Sequence, residues 1–158
     1  MSQDDEFYMR MALEEAEIAR REGNDGVGAV IVRDGAVIGR GRNMMYTEID
    51  RTAHAETVAI RDACRETGQL DLRGATLYST MEPCPMCAGA IDVAGISRLV
   101  LGARWTQRPH GRGSYTTERF LELTDRTGQV DLVTGVLAEE GLEISQRARA
   151  ERAAKNAG

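Results

Sequence analysis

Four residues of the chain have the types and spacing of a catalytic metal centre: His54, Glu56, Cys84 and Cys87. Cys84 and Cys87 stand three apart in the stretch Met81–Ala90, and the prolines beside them are typical of the first turn of a helix. Residues three apart lie on one face of a helix, so both sulfurs can reach one metal ion. The positive end of the helix dipole favours thiolate over thiol. His54 would add a nitrogen ligand.

One imidazole and two thiolates leave a tetrahedral zinc ion with one position for water, which is the arrangement of catalytic zinc sites. Zinc lowers the pKa of a bound water to about 7, so hydroxide forms at neutral pH. Glu56 stands two residues from His54 and is the candidate base that takes a proton from water and passes it to a leaving group. The sequence therefore predicts a zinc-dependent hydrolytic centre.

The same residues have plainer interpretations. The two cysteines could be structural thiols or half of a closed zinc site, but a closed site needs four ligands, and the sequence holds no second Cys-x-x-Cys or histidine pair. Taken alone, His54 would be an ordinary histidine at a helix start and Glu56 a surface carboxylate. A spacing of two does not place both on one face of a regular helix, so the predicted geometry requires an irregular helix start.

Length and composition predict one globular domain over residues 1–158. The chain is 42% hydrophobic and 28% charged, and no apolar run approaches the ~20 residues of a membrane span. The N-terminal segment is acidic and has no signal-peptide pattern, so we expect no export. Two of the three cysteines form the metal-type pair, which favours a reducing compartment; Cys64 is interpreted as a small, partly buried hydrophobe. These features predict a cytoplasmic protein.

The net charge of −5 disfavours broad binding of a phosphate backbone, which needs a basic surface. Basic residues nevertheless cluster in two places. We interpret both clusters as solvated faces, and a local nucleic-acid patch stays open as the alternative. The clusters are Arg104, Arg108, Arg112 and Arg119, and then Arg147, Arg149, Arg152 and Lys155.

The elements that must position the four residues alternate between helices and strands. Asp34-Gly35 is a strong hairpin signal between the first two strands, and Thr52 is the predicted cap of the second helix. The order argues for an α/β fold, a three-layer α/β/α sandwich around a mixed sheet of about five strands. Helices are predicted at 4–21, 53–67, 83–95, 117–127 and from 139 onward; strands at 27–33, 36–41, 75–80, 98–102 and 130–137; and irregular segments at 43–51 and 104–114.

Four sequence elements between positions 27 and 103 together resemble the cytidine deaminase superfamily. They are Gly28–Ala29–Val30, the Gly39–Asn43 turn, Thr52–Ala53–His54–Ala55–Glu56, and the Pro-Cys-Pro-Met-Cys block with its Ala-Gly-Ala-Ile continuation. The spacing His-x-Glu followed by Pro-Cys-x-x-Cys is the signature of zinc nucleobase deaminases. Within this superfamily, the sequence most resembles the branch that contains fungal-type cytosine deaminase, bacterial guanine deaminase and tRNA adenosine deaminase. The resemblance implies Zn²⁺ as cofactor, a hydrolase acting on C–N bonds of cyclic amidines, and a homodimer.

The resemblance also implies a set of substrate-binding residues. Asn43 would hydrogen-bond the substrate ring, although an amide after a strand is most often a turn former. The backbone carbonyl of Glu82 would receive the leaving amine. Trp105 and His110 lie in the loop that lines the pocket in relatives, where the Trp105 ring could stack on a heterocycle or anchor the loop. Ala55 belongs to the set through its place between His54 and Glu56.

We expect the substrate to be a free nucleobase or related amino-heterocycle of the cytosine or guanine type. The pI of about 5.1 favours it, and so does the Gly-Arg-Gly-x-Asn-Met opening of block 39–56. A tRNA adenosine, suggested by Glu82-Pro83-Cys84 and Gly102-Ala103-Arg104, is the disfavoured alternative. A non-catalytic zinc-stabilised binding module is the remote one. The tail 146–158 departs from cytosine deaminases, since it has no aromatic residue and Glu151 as its one acid.

Overall fold

A computed structural model describes residues 3–158 of the chain, with helices and strands in the predicted order. The first helix carries acidic residues in its first turn and Arg20 and Arg21 in its last turn, as the helix dipole favours. The helices are α1 (Gln3–Arg21), α2 (Met45–Glu48), α3 (Ala55–Thr67), α4 (Pro85–Val93), α5 (Thr117–Leu123) and α6 (Ala138–Asn156). The strands are β1 (Gly28–Arg33), β2 (Ala36–Arg42), β3 (Thr76–Met81), β4 (Arg98–Ala103) and β5 (Asp131–Val133).

The five strands form one mixed sheet in the order β2-β1-β3-β4-β5. Strand β1 runs antiparallel to both of its neighbours, whereas β3, β4 and β5 are parallel. Asp34 and Gly35 join β1 to β2 with positive φ angles of 53° and 75°, which a tight hairpin turn requires. The parallel strands place the residues after β3 and β4 at the same edge of the sheet, so 82–84 and 104–105 are neighbours in space.

Helices cover both faces of the sheet, which explains why its strands read as continuous apolar runs. On one face Ile31, Leu77 and Leu101 pack with the buried alanines of α3. On the other face Val30 and Val100 pack against α1. Neighbouring residues of one strand therefore serve different cores. This three-layer α/β/α arrangement around a five-stranded mixed sheet confirms the predicted fold.

Two glycines of β2 allow α3 to lie unusually close to the sheet. A Cβ at Gly41 would stand 2.1 Å from the carbonyl oxygen of Ala55, and one at Gly39 would stand 2.6 Å from that of Ala59. Residues 36–41 were predicted as a strand, and 39–43 were also described as a turn; the structure has strand through Arg42, so these glycines serve helix packing rather than chain reversal. Close packing of α3 on β2 places the first residues of α3 directly beside the end of β2.

Three local predictions were wrong. The loop predicted at 43–51 contains the short helix α2. The side-chain oxygen of Asn24 accepts hydrogen bonds from the backbone N–H groups of Tyr46 and Thr47 in this helix. The cap of α3 is His54, not Thr52, which instead closes a local turn on Asp50. The last strand covers only 131–133 of the predicted 130–137, because the chain leaves the sheet to start α6.

Within residues 3–158 the structure has no helix with both the length and the apolar character needed to cross a membrane. The cytoplasmic location stays a prediction.

Candidate metal centre and active site

Two helix starts meet at the centre of the site. His54 is the N-cap of α3 and Cys84 the N-cap of α4, both with extended backbone. Cys84 therefore precedes its helix instead of lying on a helical face as predicted, and Pro85 takes the first helical position, where a missing N–H costs nothing. An N-cap side chain leans over the third helical residue, and in α4 that residue is Cys87. This local geometry brings the two sulfurs together.

The three predicted ligands form one compact group. The Nδ1 atom of His54 lies 3.6 Å from the sulfur of Cys84 and 3.5 Å from that of Cys87. Ordinary zinc–sulfur and zinc–nitrogen bonds in a tetrahedron separate such donors by about 3.6 Å. All three donor atoms lie within 4.8 Å of one another, and no fourth histidine, cysteine or carboxylate of residues 3–158 joins them. The donor set therefore fits Zn²⁺ of the catalytic type.

The pKa values of the three ligands are coupled through their contacts. A hydrogen bond from the Cys87 thiol lowers the pKa of Cys84, and the neighbouring imidazole of His54 lowers it further. The same contact raises the pKa of Cys87, because one proton is shared by two sulfurs. The Cys84 sulfur in turn raises the pKa of His54. A metal ion binds thiolate sulfur and neutral imidazole, so its binding would displace the protons that these three groups share.

Glu56, the predicted base, is the second residue of α3 and is buried beside this group, with 3% of its surface exposed. Burial raises the pKa of its carboxyl, and its own backbone N–H and the Ser79 hydroxyl act in the opposite direction. Ser79 Oγ lies 3.1 Å from Oε1 of Glu56. The irregular helix start that the spacing of two requires is present, since His54 stands outside the helix and Glu56 inside it. A buried carboxyl with a raised pKa suits proton transfer.

A pocket of about 460 Å³, lined by His54, Cys84 and Glu56, opens at the edge of the sheet where β3 and β4 end. Its volume is in the usual range for small-molecule sites. All five predicted substrate-binding residues line it: Asn43, Ala55, Glu82, Trp105 and His110. A second groove, of about 570 Å³, lies at the other end of the parallel strands and contains none of the predicted ligands.

The predicted substrate-binding residues differ in what they can offer. Asn43 is buried, and its Oδ1 accepts a hydrogen bond from the N–H of Met45, so the turn interpretation also holds. Its amide NH₂ has no hydrogen-bond partner among the described residues, which leaves it as a donor for a ligand. Ala55 is the first residue of α3, where a backbone N–H has no partner within the helix.

The carboxylate of Glu82 is occupied by hydrogen bonds within the protein. It accepts hydrogen bonds from the N–H groups of Trp105 and Thr117, at 2.9 and 2.8 Å. The Trp105 indole N–H lies 3.4 Å from the Pro83 carbonyl oxygen, and the guanidinium of Arg112 lies 4.4 Å from the ring centroid. The structure thus supports the anchor interpretation of Trp105.

Four arginines form the rim of the pocket, and sequence reasoning missed two of them. We call Arg51, Arg108, Arg112 and Arg149 the arginine rim. In the described chain none of these four makes an ion pair, although Arg152 behind them is paired with Asp25. Burial lowers the pKa of Arg108 to about 10, and the charge of Arg149 adds to the effect. Unpaired like charges held together favour an anionic ligand.

Arg51 lies at the end of a predicted loop, and Arg149 lies in the basic tail that was interpreted as a solvated face. Only the fold brings these two segments to one pocket.

Comparisons with known proteins agree with this geometry. Residues 2–103 match the family described as the cytidine and deoxycytidylate deaminase zinc-binding region. The chain is 43% identical over 136 residues to a tRNA-specific adenosine deaminase of Bacillus subtilis (strain 168), covering 86% of this chain and 83% of that one. It is 42% identical over 137 residues to the tRNA-specific adenosine deaminase of Agrobacterium fabrum, covering 87% and 88% of the two chains.

A solved structure from work on A-to-I editing by tRNA:A34 deaminases has a TM-score of 0.78 and 41% identity to this chain. The alignment covers 87% of this chain and 98% of that one.

These relatives overturn two predictions. The expected free nucleobase of the cytosine or guanine type is wrong, and so is the interpretation that disfavoured tRNA as a partner. Both depended on the acidic composition, a net charge of −5 that averages over the whole surface, and the free-base prediction depended also on the opening of block 39–56. Although Asp25, Glu56 and Glu82 also line the pocket, its rim carries four arginines without ion-pair partners among the described residues. Nothing here tests the predicted homodimer, which stays a prediction.

The predicted Zn²⁺ cofactor and the predicted enzyme class, a hydrolase acting on C–N bonds, are confirmed. By its match over residues 2–103 and its identity to these relatives, the chain belongs to the cytidine and deoxycytidylate deaminase family.

Proposed function

We propose that the chain is a tRNA-specific adenosine deaminase, which converts adenosine to inosine in a transfer RNA. The observation that carries the proposal is the arginine rim around a pocket lined by His54 and Cys84, which with the buried Cys87 form the metal-donor group. A free base brings no phosphates, so unpaired arginines around the mouth serve it little. A nucleotide within RNA brings phosphates on both sides of the reacting base. The names of the relatives with 42–43% identity support the same substrate.

The reaction forms a C–O bond at the ring carbon that carries the amino group and breaks its C–N bond, with release of ammonia. When bound by His54, Cys84 and Cys87, zinc supplies the Lewis acidity that makes water nucleophilic at neutral pH.

Glu56 is the proposed proton carrier. Its buried carboxyl takes one proton from the attacking water and delivers it to the ring nitrogen, then takes the second proton from the hydroxyl newly attached to the ring carbon and delivers it to the departing amine. Ser79 orients this carboxyl. The amide NH₂ of Asn43 donates to an acceptor of the base, the N–H of Ala55 lies at the helix start beside it, and the carbonyl of Glu82 accepts from the leaving amine.

The proposal is tested with zinc-loaded protein and a tRNA that carries adenosine at position 34. We expect inosine at that position, read as guanosine after reverse transcription, and none when position 34 is guanosine. Glu56→Gln should retain zinc and lose turnover, since the amide cannot carry the proton. Ammonia release from free guanine or cytosine, with no inosine formed in the tRNA, would overturn the proposal. An active Glu56→Gln enzyme would remove the assignment of the base.

A further inference from the structure

The carboxylate of Glu82 is the most completely buried acidic group of the site region that the proposed reaction does not use, with a side-chain exposure of 0%. Its residue links the two parts of the site. The Glu82 N–H donates to the Ala103 carbonyl at 2.7 Å, which continues the pairing of β3 with β4. Two residues later Cys84 begins α4. A group at this place can couple the metal centre to whatever its side chain holds.

The side chain holds both ends of one segment, residues 104–117, which we call the wall loop. At its first end, Oε2 of Glu82 accepts from the N–H of Trp105 at 2.9 Å and lies 3.0 Å from Nε of Arg104. At its second end, Oε1 accepts from the N–H and the hydroxyl of Thr117 at 2.8 and 3.1 Å. Three hydrogen bonds and one ion pair converge on this carboxylate.

The next residue adds to this closure. The carbonyl oxygen of Pro83 accepts from the Tyr115 hydroxyl at 2.7 Å and faces the indole N–H of Trp105 at 3.4 Å. Both contacts again join residues near the two ends of the wall loop to a single point. The middle of the loop, with Arg108, His110 and Arg112, lines the pocket.

The energetics make Glu82 hard to replace. A buried carboxylate is tolerated only when donors satisfy it, and charge-assisted hydrogen bonds are about twice as strong as neutral ones. The N–H groups of Trp105 and Thr117 have this side chain as their acceptor. Without it, they would be left unsatisfied or would draw water into the loop, and either change loosens the wall of the pocket.

We propose that Glu82 is a positioning residue, whose carboxylate closes the wall loop at both ends and thereby fixes the arginine-bearing side of the pocket relative to the metal centre. The inference deepens the proposed function and rests on it where substrate binding is concerned. Its structural part, the closure of the loop, stands on the contacts alone.

Glu82→Gln tests the proposal, because the amide keeps the size of the side chain but turns an NH₂ donor toward the N–H of Trp105 or Thr117. Glu118→Gln is the matched control, since Glu118 also pairs with the Arg104 side chain but is exposed and accepts from neither Trp105 nor Thr117. Three quantities are measured for both variants: bound zinc, the rate of tryptic cleavage between Arg112 and Gly113, and KM and kcat for tRNA.

In Glu82→Gln we expect full zinc content and about tenfold faster cleavage after Arg112. We also expect KM for tRNA to rise about tenfold, with a smaller change in kcat. A tenfold change corresponds to the loss of about 1.4 kcal/mol of interaction that closes the loop. Glu118→Gln should behave like the unmodified chain. If Glu82→Gln does not fold, Thr117→Val takes its place, because it removes one donor and keeps the backbone N–H. It should shift cleavage in the same direction by a smaller factor, with Thr117→Ser restoring the original rate.

Unchanged cleavage in the folded variant would overturn the proposal, and so would a loss of kcat with unchanged KM. The proteolysis does not depend on the substrate. If tRNA proves not to be the substrate, cleavage after Arg112 still decides whether Glu82 closes the loop.

Discussion

The Ser79 hydroxyl lies 3.1 Å from Oε1 of Glu56 and 2.7 Å from the carbonyl oxygen of Met81. Both side chains are buried, Ser79 completely. Ser79 alternates along β3 with Tyr78 and so faces α3, which carries Glu56. One hydroxyl thus joins the end of β3 to the proposed proton carrier, and this contact is available for test without touching a metal ligand.

Ser79→Ala should lower kcat about tenfold, because a hydrogen bond to a charged group is worth about 1.5–3 kcal/mol and only part of it is lost when the carboxyl relaxes. KM should change little, since Ser79 does not line the pocket. Single-turnover rates on tRNA at saturating enzyme measure the effect.

Thr80→Val is the matched control for Ser79→Ala. Thr80 is the next buried hydroxyl of the same strand, and it accepts from the N–H of Gly28 on the other face. It should cost stability, measured by urea unfolding, without slowing the chemistry of the folded fraction. Equal kcat for Ser79→Ala and the unmodified chain would contradict the positioning of Glu56.

Substitution of two glycines by alanine should have opposite effects on stability, because Gly41 lies in the contact of β2 with α3 and Gly89 lies in α4 with open space beside it. Gly41→Ala places a Cβ 2.1 Å from the Ala55 carbonyl oxygen and 2.3 Å from the Ala59 nitrogen, both backbone atoms that cannot move aside. We expect destabilisation by about 3 kcal/mol or more and loss of zinc, because the helix start that carries His54 must shift. Gly89→Ala meets nothing within 4 Å in α4 and should stabilise by about 1 kcal/mol. Thermal unfolding measures both, and a tolerated Gly41→Ala would refute the close-packing account.

Most of the fold could be predicted because its signals are local. The apolar runs of β1, β3 and β4 are continuous, the Asp34-Gly35 turn is unambiguous, and both faces of the sheet are covered by helices whose order alternates with the strands. The short helix α2 could not be predicted, since its cap comes from Asn24, far earlier in the chain. Thr52 was a reasonable cap by residue type, but the cap position belongs to His54.

The metal ligands were predictable from type and spacing, whereas the surroundings of the metal were not. Glu82 receives its donors from Trp105 and Thr117, residues that no spacing rule connects to it. The prediction of the substrate class was wrong for a similar reason. Net charge is a property of the composition, whereas binding depends on where the charged side chains lie. Only the folded chain places Arg51 and Arg149 at the same pocket.

Replacing each cysteine in turn should distinguish the two predicted metal ligands, Cys84 and Cys87, from Cys64. Cys84→Ser and Cys87→Ser each remove one of three donors and should lower zinc affinity by at least about tenfold, measured by competition with a chromogenic chelator. Cys64→Ala is the matched control, since Cys64 is half-buried against the core and lies outside the donor group. Zinc retained at full affinity by both serine variants would show that the metal is held elsewhere.

The arginine rim predicts a steep dependence of tRNA binding on salt. Each phosphate contact releases counterions, so the plot of log affinity against log salt concentration should become shallower by about 1 when one contact is removed. Arg149→Ala should produce this change, measured by fluorescence anisotropy with labelled tRNA between 50 and 200 mM salt, the range in which such contacts differ most. Arg65→Ala is the matched control, because Arg65 is an exposed arginine in the last turn of α3, at the end opposite His54. Arg149 and Arg65 carry the same charge, so a change in overall charge alone would alter the two slopes equally. A smaller slope for Arg149→Ala than for Arg65→Ala places a phosphate at the rim, and equal slopes would place the bound RNA on another surface.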